Sequence, residues 1–144
     1  MRIKTNFILY ILIVGIFIVA CNKKKTDCAN SICTEEYRTI SIKVEDITMP
    51  PMARLLTKFY TKNKTNDTLI NSSEGANSFQ WDLYRQYGYP VVSDGQISRS
   101  TESMTVEFFG EINGKIVAQE TLVVGHDCCH VFKISGKDTT VMTP

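Results

Sequence analysis

Hydrophobic residues are distributed unevenly along the chain, and their densest run lies near its start. From Phe7 to Ala20, 14 consecutive residues carry no charge, and the basic residues Arg2 and Lys4 precede them. A helix needs about 20 apolar residues to span a bilayer, so a shorter run with a basic start predicts the core of a signal peptide. A signal peptide over residues 1–20 predicts an exported protein.

The apolar run ends on Ile18-Val19-Ala20-Cys21, which resembles the bacterial lipobox. The resemblance implies that lipid is attached to the Cys21 thiol, that the leader is removed, and that the protein is anchored in a membrane of the cell envelope. Asn22 follows the cysteine, and in the enterobacterial sorting rule a residue other than Asp there favours the outer membrane. An uncleaved signal anchor and an ordinary cleaved leader are the alternatives.

Beyond a polar, lysine-rich tether at 21–32, apolar and polar residues alternate with the period of a β-strand. Ile40, Ile42 and Val44 fall on one face of a strand predicted over 36–46. Further strands are predicted at 54–61, where a helix is the alternative, and at 87–92, 103–112, 115–124, 129–135 and 139–142. Asn113-Gly114 between two of them is the signature of a type I′ hairpin.

The remaining segments favour loops over helices. Residues 63–75 are rich in Asn, Thr, Ser and Lys, which predicts a long exposed hairpin or loop. Six or seven short strands without a convincing amphipathic helix predict an all-β fold. We expect residues 33–144 to form a single antiparallel β-sandwich, immunoglobulin-like or transthyretin-like, after the signal peptide and the lipidated tether.

Four cysteines remain besides Cys21, and an even number in an exported protein predicts two disulfides among Cys28, Cys33, Cys128 and Cys129. Neighbouring side chains of an extended strand point to opposite faces, which disfavours a bond between the two adjacent cysteines. Both remaining pairings join positions roughly 100 residues apart, and each such crosslink stabilises by roughly 4 to 5 kcal/mol in the loop-entropy model.

The segment around the adjacent cysteines also contains donors suited to a metal. On a strand, His126, Cys128 and His130 would share one face, which suggests a metal site or a redox-active cysteine pair. Ligands so close along one strand cannot complete a tetrahedron without a partner segment. Disulfides are therefore the favoured interpretation, and we expect no metal and no other cofactor.

Aromatic residues are concentrated before the middle strands. Trp81, Tyr84, Tyr87 and Tyr89 lie close together in the sequence and include the single tryptophan. Exposed aromatic faces bind sugars and protein partners, so this stretch is the candidate ligand surface. The alternative, which we favour, is that Trp81 and two of the tyrosines belong to the core.

Charge and motif content restrict the function further. The chain has 16 basic and 15 acidic residues, a balance that predicts no nucleic-acid partner. No catalytic motif stands out, so we expect a non-enzymatic binding or structural module that contacts a membrane through its lipid and takes a protein or glycan ligand. A metal-binding or redox protein using His126 to His130 is the alternative.

A family resemblance rests on several elements spread along the chain. The segments Cys33-Thr34-Glu35-Glu36, Tyr89-Pro90-Val91-Val92-Ser93-Asp94 and Asp127-Cys128-Cys129-His130-Val131 resemble those of small lipoproteins of Bacteroidetes. The resemblance implies a single β-sandwich module with a cysteine framework. The strand that begins at Ile40 is also similar to the start of transthyretin-like domains of carboxypeptidases.

Overall fold

The computed structural model describes residues 28, 30–47, 55–99 and 101–143. The predicted leader, the predicted lipobox and most of the predicted tether lie outside these residues. Within the described ranges the chain is mostly β, with eight strands and one helix, which confirms the all-β expectation. A search of the same ranges for a helix long and apolar enough to cross a membrane found none.

The strands are short, and seven of the eight overlap a strand predicted from the sequence, whereas β3 lies in the stretch predicted as a hairpin or loop. Their bounds are β1 Thr39–Glu45, β2 Lys58–Asn63, β3 Leu69–Ser72, β4 Tyr89–Ser93, β5 Met104–Ile112, β6 Lys115–His126, β7 Val131–Ser135 and β8 Thr139–Val141. The single helix, α1, spans Ser78–Tyr87. The polar stretch 63–75 contains β3, which pairs with β2 as the predicted hairpin.

The strands form two sheets. One contains five strands in the order β3-β2-β5-β6-β7, and the other contains three in the order β4-β1-β8. All pairs are antiparallel except β1 with β8, where Lys43 lies opposite Thr139 in parallel register. The expectation of a purely antiparallel structure is wrong at this pair. The chain leaves the first sheet after β7, crosses to the second, and enters it alongside β1 in the same direction.

The turn between β5 and β6 is the hairpin that the sequence predicts. Asn113 has φ +51° and Gly114 has φ +81°, and a type I′ turn requires positive φ at both central residues. Asn tolerates this region of backbone space and Gly enters it without steric cost. Ile112 and Lys115 are therefore paired directly across the turn, and the pairing shifts by one residue between Gly110 and Glu111, so the turn sets the register only of the residues next to it.

The hydrophobic core contains inward-facing residues of both sheets. The fully buried members include Ile42 and Val91 of the three-stranded sheet and Phe59 and Phe108 of the five-stranded sheet. The buried hydroxyl of Thr61 donates a hydrogen bond of 2.8 Å to the carbonyl oxygen of Val91, which joins β2 to β4 across the core. Every second residue of each strand faces this core, and a shift of the pairing by one residue would expose those side chains, so burial fixes the pairing.

The helix α1 contradicts the expectation of a structure without helices. Asn77 and Gln80 form a capping box, in which each side chain accepts from the other residue's backbone N–H at 2.9 Å. The helix ends at Gly88, whose φ of +106° is unfavourable for other residues and whose N–H bonds to the carbonyl of Tyr84. Its pattern is weak because none of its residues is fully buried.

Candidate functional sites at the stapled and open ends

Two disulfides join the start of the described chain to the connection between β6 and β7. Cys28 is bonded to Cys128 and Cys33 to Cys129, with Cα atoms 5.1 and 5.2 Å apart, inside the usual range for disulfides. The two long-range crosslinks expected from the sequence are therefore confirmed. We call this part of the molecule, with Thr34, Asp94 and the turn 127–130, the stapled end.

The adjacent cysteines lie in a turn, and not in a strand as predicted, because β7 begins only at Val131. One carboxylate oxygen of Asp127 accepts the backbone N–H groups of Cys129 and His130, each at 2.7 Å. These hydrogen bonds lower the pKa of Asp127. The aspartate thus holds the backbone of the turn while the two sulfur atoms reach different partners.

A second aspartate organises the stapled end from β4. Asp94 follows the last residue of β4, and its carboxylate accepts the N–H groups of Arg38 at 2.8 Å and Val131 at 2.7 Å. The Nδ1 atom of His130 lies 2.9 Å from the same carboxylate. Burial alone would raise the pKa of Asp94, but hydrogen bonds from the His130 ring and these backbone N–H groups outweigh it and lower the pKa to about 2.

The ring of His130 connects this aspartate to the N-terminal segment. Its Nε2 atom lies 3.1 Å from the hydroxyl oxygen of Thr34, next to the stapled Cys33. The order hydroxyl, imidazole, carboxylate is that of a nucleophile with its base and orienting acid. In this structure the three side chains join the segment at Thr34 to the turn at His130 and to the end of β4 at Asp94.

The three residues of the alternative metal site do not converge on a common point. The sulfur of Cys128 is bonded to Cys28, and the ring of His126 contacts the carbonyl of Asp127. The ring of His130 is engaged by Asp94 and Thr34. Among the described residues, no group of three or more His, Cys, Asp or Glu side chains is placed to hold a metal ion.

A cavity of about 450 Å³ lies near the opposite end of β1, which we call the open end. β1 starts beside Asp94 of the stapled end and finishes at Glu45, and the last turn of α1 and the residue after β8 complete the walls. The lining residues are Lys43, Val44, Glu45, Asp46, Ile47, Leu55, Tyr84, Arg85, Gln86, Gly88, Tyr89 and Met142.

The four aromatic residues predicted as a ligand surface do not form one exposed surface. Tyr89 is 4% exposed, and the rings of Trp81 and Tyr84 pack edge-on against Phe59 with centroids 6.0 and 5.2 Å away. Only Tyr87 projects into solvent, with 66% of its surface exposed. Trp81, Tyr84 and Tyr89 therefore lie in or against the core, as the favoured alternative expects. Tyr84 and Tyr89 also line the cavity.

Sequence reasoning missed features that depend on the helix and on long-range contacts. Phe79, Leu83 and Tyr87 are exposed at successive i, i+4 positions of α1. This helical spacing and the capping residue Asn77 are the two sequence signals from which the helix could have been predicted. The roles of Thr34 and Asp94 had no local signal, because each contacts a residue at least 36 positions away.

Comparisons with protein-family models, with curated proteins and with solved structures found no match to this chain. The candidate sites therefore stand on their own geometry.

Proposed function

We propose that this protein is a lipid-anchored envelope protein whose disulfide-stapled β-sandwich, immunoglobulin-like or transthyretin-like, acts as a non-enzymatic binding module. The observation that carries the proposal is the open-end cavity of about 450 Å³. Its volume falls within the range of roughly 300–1,000 Å³ that small-molecule sites occupy. At the stapled end the polar groups are hydrogen-bonded to one another, whereas the open end has a cavity, and this difference supports ligand binding at the open end.

The chemistry of the cavity favours a neutral, hydroxyl-rich ligand such as a sugar residue of a glycan. The partly exposed Val44, Leu55 and Tyr84 supply apolar surface, and Lys43, Glu45 and Arg85 add charges of both signs. Aromatic and apolar walls suit the faces of a sugar ring, while cationic donors and carboxylate acceptors suit its hydroxyl groups. The mixed charge disfavours a strongly anionic or cationic ligand.

The proposed attachment to a membrane is based on the resemblance of the segment ending at Cys21 to a lipobox. In the native host, Cys21→Ser is expected to abolish acyl labelling of the protein and to leave an unprocessed precursor, because lipid attachment and cleavage both depend on that thiol. Immunoblotting of fractionated membranes and mass spectrometry of the N-terminal peptide provide the measurement. A mature-sized, unlabelled product from the mutant would exclude lipoprotein processing.

Binding at the cavity is tested with the mature protein, a glycan array and calorimetry with the best hits. Arg85→Ala and Glu45→Gln are expected to weaken sugar binding about tenfold each, the loss of one charge-assisted hydrogen bond. Arg99→Ala is the matched control, because Arg99 is exposed and lies outside the cavity lining. Equal binding by all three variants, or no sugar hit, would argue against this site.

The metal or redox alternative is tested in the same preparation. Our proposal expects no metal above trace level by elemental analysis. Stoichiometric zinc or copper, lost in His126→Ala or His130→Ala, would replace the binding-module proposal.

A further inference from the structure

We infer that the stapled end of the domain lies against the membrane, so that the open-end cavity faces away from the lipid surface. This inference rests on the proposed lipidation of Cys21. A lipid anchor alone would leave the tethered domain free to rotate relative to the membrane, so a fixed orientation goes beyond anchoring. The partner that the stapled end contacts is the bilayer surface itself.

The tether between the proposed lipid and the domain is short. Only seven Cα–Cα steps separate the lipid-bearing Cys21 from Cys28, which is covalently joined to Cys128. Fully extended, seven residues reach at most about 25 Å. Without this disulfide the free tether would extend to the next staple at Cys33, twelve steps from the lipid.

The disulfides lie at one end of the five-stranded sheet. Cys128 lies in the turn between β6 and β7, at the end of the five-stranded sheet where β5 begins, and the Asn113-Gly114 hairpin lies at the other end. β5 covers Met104–Ile112, eight steps, or about 27 Å in an antiparallel strand. The tether reaches at most about 25 Å when every residue is fully extended, so contact of the hairpin end with the membrane would require the whole tether to be stretched along the sheet. The stapled end needs no such extension and is therefore the favoured membrane contact.

Exposed apolar and aromatic residues lie beside the disulfides, where the short tether would bring them to the lipid. Ile32, the residue before Cys33, is 99% exposed, and Tyr37 in the same segment is 68% exposed. Tyrosine is enriched where protein meets lipid head groups, and an exposed isoleucine favours the apolar side of that boundary. The tether also carries Lys23, Lys24 and Lys25, which are attracted to anionic head groups.

The cavity lies at the end of β1 that is farther from the disulfides. β1 runs from the stapled end, where Arg38 bonds to Asp94, to Glu45 at the cavity. With the stapled end on the bilayer, the cavity opens about one strand length away from the lipid. A ligand too large to lie under the domain, such as a glycan chain or a protein, can then reach it.

The experiment places a fluorescent reporter at each end of the lipidated protein. Ile32→Trp and Ile116→Trp replace exposed isoleucines beside the staple and beside the hairpin, in a Trp81→Phe background. The purified lipidated chains are reconstituted into vesicles of brominated phosphatidylcholine with phosphatidylglycerol. We expect Ile32→Trp to lose about half of its emission or more and Ile116→Trp to stay near its value in unbrominated vesicles, since about 27 Å of sheet separates the two ends.

Equal quenching at both positions, or stronger quenching at 116, would overturn the orientation. Mass spectrometry of the same samples reports whether Cys21 carries acyl chains. Absent acylation would overturn the anchor and this inference together, whereas acylation with equal quenching would overturn only the inference. If Trp81→Phe does not fold, Trp81 is retained and each reporter is measured as a difference from the parent chain.

Discussion

The two ends of this domain are stabilised by different interactions. At the stapled end two disulfides and the hydrogen bonds of Asp94 join segments that are far apart in sequence. Towards the open end, Phe59 packs against the rings of Trp81, Tyr84 and Tyr89, beside a cavity. Covalent and directional bonds position one end, while packing at the other leaves surface for a ligand. The following predictions test that difference.

The largest effect is expected from the disulfides of the stapled end. Replacing all four bonded cysteines by serine removes both crosslinks, and opening a loop with a sequence separation of 100 residues costs about 4 to 5 kcal/mol of unfolding free energy. Replacing only Cys28 and Cys128 should cost less, because the bond between Cys33 and Cys129 still closes a loop with a sequence separation of 96. Urea unfolding of both variants and of the parent protein provides the measurement. A loss below 1 kcal/mol for the variant without either disulfide would contradict the comparison.

At the open end the largest effect is expected from Phe59. Its side chain is fully buried, and Phe59→Ala should lower the unfolding free energy by about 3 to 5 kcal/mol through lost burial and a cavity among the aromatic rings. Phe79→Ala is the matched control, because Phe79 on α1 is 68% exposed and should change stability by less than about 0.5 kcal/mol. Similar losses in both variants would show that the aromatic cluster does not stabilise this end.

The polar network of the stapled end predicts a dependence on pH. The folded pKa of Asp94, about 2, lies below its usual 3.8, so its carboxylate stabilises the fold above pH 4 and loses this contribution as the pH falls towards 2. Asp94→Asn should cost about 1 to 3 kcal/mol at pH 7, because its backbone donors lose a charged acceptor.

The stability difference between the parent protein and Asp94→Asn should shrink between pH 4 and pH 2. Chemical denaturation at several pH values measures it. Asp82→Asn, at an exposed position on α1, is the control and should show little such change. A constant difference for Asp94→Asn across this interval would mean that its charge is not what the network requires.

The smallest effect is expected at the hairpin of the open end. Gly114→Ala places a Cβ atom on a residue with φ +81°, which should cost about 1 kcal/mol. Asn113→Gly should change thermal stability little, because glycine adopts the φ of +51° at least as readily as asparagine. If Gly114→Ala melts like the parent protein, the positive φ at position 114 is not what the hairpin requires.

Local signals predicted a large part of the fold. The alternation of Ile40, Ile42 and Val44 predicted β1, and Asn113-Gly114 predicted the β5–β6 hairpin. Helix α1 was missed because its inner face is narrow, with Trp81 and Tyr84 against the core and apolar residues also on its exposed face. A helix that covers only the edge of a core has a narrow stripe of apolar residues, which gives a weak helical pattern in the sequence.

The candidate sites were less predictable than the fold. The geometry of adjacent side chains correctly disfavoured a bond between Cys128 and Cys129, although the turn in which they lie had been assigned to a strand. The aromatic stretch was correctly singled out, but Tyr89 faces the core and Tyr87 faces solvent. Helix α1 ends at Tyr87, and Gly88 separates it from β4, which begins at Tyr89. The spacing of the two tyrosines in the sequence therefore does not show which of them is buried.

The sequence by itself determined the features that neighbouring residues encode: the strand alternation, the hairpin turn, and an even set of cysteines separated by the length of the domain. The tertiary structure alone decided which cysteine meets which, and it brought Asp94, His130 and Thr34 into one network. It also decided that a cavity remains between β1 and α1. The physical reason is that local backbone preferences act over a few residues, whereas these contacts arise only when two sheets bury a common core.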